Sequence, residues 1–357
     1  MTLRPSTIDE LRDIVPQHPR LRIRGGGTKP GLSDARGGEE VLDLSALAGV
    51  IEHTPEECTF TALAGTRVRE IERLLAPHRQ YLPFDPPLSE RGATIGGTVA
   101  AGVSGSCRYR YGGVRDFIIG ARIVDGRGRL VRSGGKVVKN AAGFLLHQGM
   151  TGSCGQFGVL AEVTFKVFPH ASEYATVLAR YASVEDALAG VTSLQSGRFD
   201  LEAVDIDAGS ALVVRLGGAP DVLPERIARL TGVLGADAEV LRGEQDARVW
   251  QDAREFRWAP ENAALARVPL VPSRIPALER ALVGVGARRR YALGGHVAIV
   301  AWPGELEGLA AALSALNLPG QILTGACDRA TIGAPADSEF ARRVRDVMDP
   351  DARFAFD

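Results

Sequence analysis

Apolar residues three and four apart at Ile8, Leu11 and Ile14 or Val15 predict a short helix, and Thr7 with Glu10 has the spacing of a capping box at its start. The chain then changes to strand periodicity. Leu21-Arg22-Ile23 alternates, and Val41 to Leu44 and Thr59 to Ala64 read as further strands. Val68, Ile71, Leu74 and Leu75 line one face of a second helix, which Pro77 ends because proline cannot continue it. Ile118 to Val124 and Arg129 to Val131 flank Asp125-Gly126-Arg127-Gly128. Asp-Gly supplies the positive φ angles of a tight turn, so these two strands are expected to be antiparallel neighbours. Val159 to Phe168 is the last strand of this half, with Val159, Ala161, Val163, Phe165 and Val167 on one face and Pro169 closing it.

From Glu173 onward the order becomes strand, helix, strand, strand, helix. Ala175 to Tyr181 alternates, Ser183 caps a helix through Leu188, Val191 and Leu194, and Leu201 to Ile206 can pair with Ala211 to Leu216 before a helix from Val222 to Leu234. A similar cycle recurs: Val268 to Val271, a helix near Ile275 to Val283, strands Arg289 to Leu293 and Val297 to Ala301, and a helix from Leu306 to Leu316. Two split β-α-β-like units would build a second, antiparallel sheet domain. The helix expected around Trp250, Phe256, Arg257 and Trp258, and the basic run Arg288-Arg289-Arg290, are candidate contact surfaces, because tryptophan and arginine are enriched at interface hot spots. The bland alternatives are core packing for the tryptophans and a solvated edge for the arginines. The whole reads as an α+β protein of two domains, consistent with 357 residues, more than a single core usually serves.

Charge narrows the function classes. Acidic and basic residues nearly cancel at a net −1 with no block of like charges, so nucleic acid is not an expected partner. Apolar runs such as Val297 to Trp302 are strand-sized, far below the roughly 20 residues that span a bilayer. Met1 to Arg20 is polar and broken by Pro5, Pro16 and Pro19, so no signal peptide is expected and the location is read as cytoplasmic. Cys58, Cys107, Cys154 and Cys327 are scattered without a Cys-x-x-Cys pair, and the histidines lack zinc spacing, so no metal site is expected.

Two glycine-rich segments about 70 residues apart carry the chemistry: Arg24-Gly25-Gly26-Gly27-Thr28-Lys29-Pro30-Gly31 and Thr94-Ile95-Gly96-Gly97-Thr98-Val99-Ala100-Ala101-Gly102. Residues without a Cβ let a backbone approach a phosphate closely and turn several N–H donors toward it. Neither Gly-x-Gly-x-x-Gly nor Gly-x4-Gly-Lys-Ser/Thr occurs, and Gly134-Gly135-Lys136-Val137 is only a near miss. Two loops holding one pyrophosphate from both sides point instead to a flavin dinucleotide.

The flanks carry a family resemblance. Leu82-Pro83-Phe84-Asp85-Pro86 leads into the second glycine segment, followed by Tyr109-Arg110-Tyr111-Gly112-Gly113-Val114-Arg115-Asp116. Gly134-Gly135-Lys136-Val137-Val138-Lys139-Asn140-Ala141-Ala142-Gly143 comes next, and then the glycines and alternating strand of Gly152 to Pro169. With the first loop these ordered blocks resemble the vanillyl-alcohol oxidase or p-cresol methylhydroxylase type of FAD-binding domain, and within it the FAD-binding E subunits of bacterial glycolate oxidases. The resemblance implies a two-part FAD-binding domain over 1–170, an antiparallel-sheet cap over 171–330, and a carboxyl-terminal segment, 331–357, returning to the FAD domain. It implies FAD, held noncovalently because Thr28 stands where covalently linked relatives carry histidine.

The candidate cofactor residues are Arg24, Gly25, Gly26, Gly27, Thr28, Lys29, Pro86, Thr94, Ile95, Gly96, Gly97, Thr98, Gly102, Lys139, Asn140, Gly158 and Val159. Backbone N–H groups of 25–28 would take one side of the pyrophosphate and those of 96–98 the other, with Arg24 or Lys29 offsetting its charge. By resemblance Lys139 and Asn140 pass near the ring, and Gly158 and Val159 reach the adenine end. Lys139 is otherwise a surface lysine and Asn140 a turn former.

Departures limit the catalytic reading. Gly143-Phe144-Leu145-Leu146 stands where the family reads Gly-Tyr-Asp-Leu. The His-x-Gly-Asp-Gly-Asn-x-His motif of direct hydroxy-acid oxidisers is also missing, and only Gly294-Gly295-His296-Val297 remains. His296 reads as an ordinary strand-end residue, and no catalytic residue is assigned. The resemblance implies an accessory subunit of a glycolate oxidase or dehydrogenase complex that oxidises glycolate, a small 2-hydroxy acid, to glyoxylate. A larger FAD subunit would perform the oxidation and an iron–sulfur subunit would carry electrons onward, with any membrane contact made through the complex. The alternatives are a self-sufficient FAD enzyme acting on a small hydroxy acid or alcohol, and a scaffold that has lost FAD.

Overall fold

A computed structural model of the chain describes residues 1–33, 37–135, 145–197, 199–207, 209–235, 237–325, 329–334 and 339–354. Lys139 and Asn140 lie outside the described residues. The chain divides into two compact units: Met1–Ser104 with Gly112–Pro169 and Asp337–Asp357, and Gly105–Tyr111 with His170–Ala336.

In the first unit the helix Ile8–Gln17 forms where its apolar spacing predicts, burying Leu11 and Val15. Thr7 Oγ1 accepts from the Glu10 N–H at 3.1 Å, and the Glu10 carboxylate reaches back to the Ser6 N–H at 2.7 Å. Behind it lies a three-stranded parallel sheet with Glu40–Asp43 between Thr2–Leu3 and Leu21–Arg24. Five antiparallel strands make the larger sheet, in the order Val50–Thr54, Thr59–Leu63, Val159–Lys166, Ile118–Val124, Leu130–Gly134. The last two are the hairpin neighbours that Asp125-Gly126 predicted. Phe165 on the central strand stacks on Phe60 at 5.7 Å and meets Phe84 at 5.4 Å. Phe354 joins the core with Leu11, Leu42 and Val159, and buried Asp349 accepts from the Arg353 and Phe354 N–H groups, fixing the turn after the helix Glu339–Met348.

The second glycine segment is not the loop that Gly-Gly suggests. Ile95–Ala101 is a helix, N-capped by Thr94, with Gly102 closing it at φ 63°.

The second unit is one nine-stranded antiparallel sheet. Its order is Ala238–Arg242, Glu173–Arg180, Ala211–Gly218, Leu201–Ile206, Arg288–Ala292, Val297–Trp302, Ala264–Pro269, Pro319–Thr324, Thr331–Gly333. In chain order the strands and helices make two β-α-β-β-α-β cycles, joined edge to edge where Ile206 pairs with Tyr291. The helices Val184–Ser196, Leu223–Leu234, Ile275–Leu282 and Leu306–Ala315 cover one face through an apolar core that includes Val204, Val214, Val268 and Val300. Thr331–Gly333 closes the sheet edge against Pro319–Gln321, so residues 331–333 belong here and not with the returning carboxyl-terminal segment.

Two expectations about contact surfaces change. The helix bearing Trp250 is Glu244–Arg254, and Phe256, at φ 53°, and Trp258 fall beyond its end. Trp250 itself is buried and donates to Thr176 Oγ1 at 2.7 Å. Within Arg288-Arg289-Arg290, Arg289 pairs with Glu279 and Arg290 with Asp205, leaving Arg288 alone of the three exposed.

Candidate functional site

The first unit contains a cleft of roughly 300 Å³ onto which both glycine segments converge. The parallel strand Leu21–Arg24 delivers the first loop to its rim, and the helix Ile95–Ala101 forms the facing wall. The two segments touch directly. A Cβ on Gly25 would lie 2.3 Å from Thr94 Oγ1, and one on Gly26 would lie 1.9 Å from the Gly92 carbonyl oxygen. Glycine at 26 is therefore required by close approach. The left-handed backbone is one residue on, at Gly27, with φ 64°.

The donors are divided unevenly between the two walls. No backbone N–H of Gly25, Gly26, Gly27 or Thr28 meets a protein acceptor among the described residues. The second wall differs from expectation. Gly96 N–H donates to the Ala64 carbonyl at 2.9 Å, Gly97 N–H to Thr94 Oγ1 at 3.2 Å and Thr98 N–H to the Thr94 carbonyl at 2.9 Å. Helix capping takes these groups, so Gly96 and Gly97 contribute a surface free of side chains and the first loop contributes the unpaired donors.

Arg24 lines the cleft but is already paired. Its guanidinium donates to Asp43 Oδ2 at 2.8 Å, and Arg4 adds a contact to the same oxygen at 3.1 Å. Burial alone would raise the Asp43 pKa. Arg24, the Ser45 N–H and Arg4 outweigh it and hold the carboxyl at about 2. Because this folded-state pKa lies below the ordinary carboxylate value, the stabilisation is complete above about pH 4 and is lost as pH falls through about 2. Asp43→Asn is expected to lower the urea midpoint near neutral pH, at a cost of about 1–2 kcal/mol. The deficit relative to the parent should shrink as the pH is lowered from 4 toward 2, within the window set by the depressed pKa of about 2.

Other candidates are more distant from the cleft. Ile95 and Val159 are core residues, Thr98 is fully buried with its hydroxyl on the Thr94 carbonyl, and Gly102 is a helix cap beside Gly152. Pro86 is buried and does not line the cleft, whereas Lys29 and Gly158 do. A third wall went unread in the sequence: Ser153, Cys154 and Gly155 line the cleft, with Cys154 at φ 50° and its N–H on the Ala100 carbonyl at 2.9 Å. The signal was there in the stretch from Gly152 to Gly158, one of the blocks that carry the family resemblance, but its residues before Gly158 were not among the candidates.

In the second unit His296 is exposed, with its ring nitrogen on the Leu293 carbonyl at 2.9 Å. Among the described residues no cluster of histidine, cysteine, aspartate or glutamate could hold a metal ion, and no helix is long and apolar enough to cross a membrane.

The chain is similar to known flavoproteins. The family model described as "FAD binding domain" matches residues 1–134. The Escherichia coli glycolate oxidase subunit GlcE is 34% identical over 253 residues, 70% of this chain and 67% of that one. Glycolate oxidase subunit GlcD of Bacillus subtilis is 30% identical over 53% of this chain, and D-lactate dehydrogenase of Archaeoglobus fulgidus 27% over 53%. The chain spans only 41% and 43% of these two relatives' lengths. Among solved structures, an alkyldihydroxyacetonephosphate synthase superposes with a TM-score of 0.71 over 99% of this chain and 75% of its own, at 15% identity, which shows a shared fold. The chain belongs to the p-cresol methylhydroxylase-type family of FAD-dependent oxidoreductases, in the branch that includes the glycolate oxidase subunit GlcE.

Proposed function

We propose that the chain is the accessory FAD-binding subunit of a multi-subunit glycolate oxidase or dehydrogenase. A larger FAD subunit would oxidise glycolate to glyoxylate, and an iron–sulfur subunit would take the electrons onward. The observation that carries the flavin part is the row of unpaired N–H groups at 25–28, facing a wall without side chains at 96–97. Such a row fits a pyrophosphate, whose oxygens need several convergent donors and close backbone approach. Gly25 to Thr28 hold the anion, Gly96 and Gly97 leave room for it, and Ser153 to Gly155 with Gly158 close the third side. Lys29 lines the rim beside the first loop and places a positive charge near the pyrophosphate, while Arg24 is paired with Asp43. FAD supplies the two-electron redox chemistry when bound, and no covalent link is formed to Thr28.

The accessory role rests on likeness to GlcE and on His296, which stands exposed at a strand end with its ring on the Leu293 carbonyl and no other side-chain partner among the described residues. It is tested by co-expression. With a larger FAD subunit and an iron–sulfur subunit of the same complex, the chain is expected to co-purify as a stable assembly that reduces an artificial acceptor with glycolate. Omission of this chain should abolish that activity. An equally active complex lacking the chain contradicts the proposal.

A further inference from the structure

His147 is buried and does not line the flavin cleft. It sits on the short helix Leu146–Gly149, which packs on the strands Ile118–Val124 and Leu130–Gly134. Ser133, also buried, meets it at two points: its Oγ accepts from the His147 N–H at 3.1 Å and lies 3.0 Å from Nδ1 of the ring. The fit is close, since a Cβ on Gly134 would stand 2.9 Å from that nitrogen. From this anchor a run of backbone bonds leads to the third wall of the cleft. Met150 N–H donates to the Leu146 carbonyl at 3.0 Å, Thr151 N–H to the Gln148 carbonyl at 3.1 Å and Ser153 N–H to the Met150 carbonyl at 3.2 Å. Met150, Ser153, Cys154 and Gly155 line the cleft. The wall's other support is the end of the helix Ile95–Ala101, where Val99 and Ala100 carbonyls accept from the Gly152 and Cys154 N–H groups. The wall is thus slung between two supports, and the Ser133–His147 contact holds one of them.

The surroundings of the ring favour its uncharged form. Arg122 and Arg132 are opposite one another on paired strands and next in sequence to Ala121 and Ser133, so they project to the other face of the sheet. On the helix Val114–Phe117, which also packs against Leu146–Gly149, Arg115 and Asp116 are exposed, and the Asp116 carboxylate accepts from the Gly113 N–H. Leu146–Gly149 itself carries no charged residue besides the ring. Among the described residues no carboxylate faces His147, and burial holds its pKa below the ordinary histidine value. A proton on the ring would place an uncompensated charge in the sheet-packed interior.

We propose that Ser133 and His147 are positioning residues that hold the third wall of the cleft against the flavin, and that flavin affinity falls when the ring takes a proton. This rests on the reading of the cleft as the flavin site and is independent of the accessory-subunit role. Because the folded-state pKa is depressed, the contact is intact above the ordinary histidine value of about 6.5 and is lost as the pH falls through the depressed one.

Titration of FAD into the stripped full-length chain, followed by flavin fluorescence, tests it. The parent is expected to bind about three- to tenfold more weakly at about pH 5 than at about pH 7.5, within the roughly tenfold per pH unit that one proton allows. Ser133→Ala leaves the buried His147 N–H without its acceptor and should weaken binding by about tenfold at about pH 7.5. His147→Asn keeps an uncharged polar group within reach of the Ser133 hydroxyl. It should bind more tightly than Ser133→Ala and show no acid weakening over this range, a change in pH profile that a merely structural role would not produce. No acid weakening in the parent, the same weakening in His147→Asn, or parental affinity in Ser133→Ala would each overturn the proposal. Should Ser133→Ala not fold, the pH profiles of the parent and His147→Asn decide it. Gly26→Val separates the two readings. Flavin lost there but bound as in the parent by both variants overturns this inference alone, whereas flavin retained there overturns the reading of the cleft.

Discussion

Gly26→Val is expected to leave the chain without flavin. The new Cβ would stand 1.9 Å from the Gly92 carbonyl oxygen and 2.9 Å from its carbon, both backbone atoms that no rotamer change can displace. The loop must therefore lift away from the second segment and carry the Gly25 to Thr28 donors with it. Losing two or more hydrogen bonds to a charged group, each worth about 1.5–3 kcal/mol, amounts to a fall in affinity of about a hundredfold or more. The ratio of flavin to protein absorbance, followed by titration of FAD into the stripped variant, reads this directly. Occupancy equal to the parent's would remove the first loop from the site.

Valine at the two glycines of the second segment should separate stability from binding. At Gly96 a Cβ would meet Ala64 Cβ at 2.6 Å and the Ala64 carbonyl oxygen at 2.8 Å. That carbonyl also accepts the Gly96 N–H, so the helix would be pushed off the strand end that holds it. Overpacking of this kind costs about 1–3 kcal/mol or more, and the melting temperature should fall by roughly 5–10 °C. At Gly97 the nearest obstacle is Thr94 Oγ1 at 2.9 Å, a movable side-chain atom, and the residue lines the cleft. Gly97→Val should therefore keep stability within about 1 kcal/mol of the parent while flavin occupancy drops steeply. The reverse order, with Gly97 the more destabilising and flavin retained, would contradict the geometry.

Local patterns were legible where local physics decides. The Asp125-Gly126 turn, the capping box at Thr7 and the two strand-helix cycles after Glu173 follow from turn chemistry and periodicity that tertiary contacts do not override. The glycine signal located the cleft but misjudged its second wall. Gly96 and Gly97 read as loop because glycine is a poor helix former, yet Thr94 caps a helix there and the carbonyls of Thr66 and Ala64, about 30 residues away, accept its first two N–H groups, from Ile95 and Gly96. Arg24 looked available to a phosphate because its partner, Asp43, sits on a neighbouring strand that no spacing rule reveals. Likewise Gly105–Tyr111 lies among the flavin-family blocks but packs with the second unit, where Arg110 pairs with Asp200 and Glu202. Ser153 to Gly155 escaped notice because their place in the cleft comes from backbone bonds to the helix end, not from side-chain chemistry.

The most direct test of the account is the visible spectrum of the purified chain, taken alone and without oxygen, before and after glycolate. The chain should be yellow, should release its FAD on acid precipitation, and should keep its flavin absorbance when glycolate is added, while dithionite bleaches it. Rapid bleaching by glycolate in the absence of any partner would contradict the account and make the chain a self-sufficient hydroxy-acid dehydrogenase. A colourless protein that FAD cannot reconstitute would contradict it from the other side.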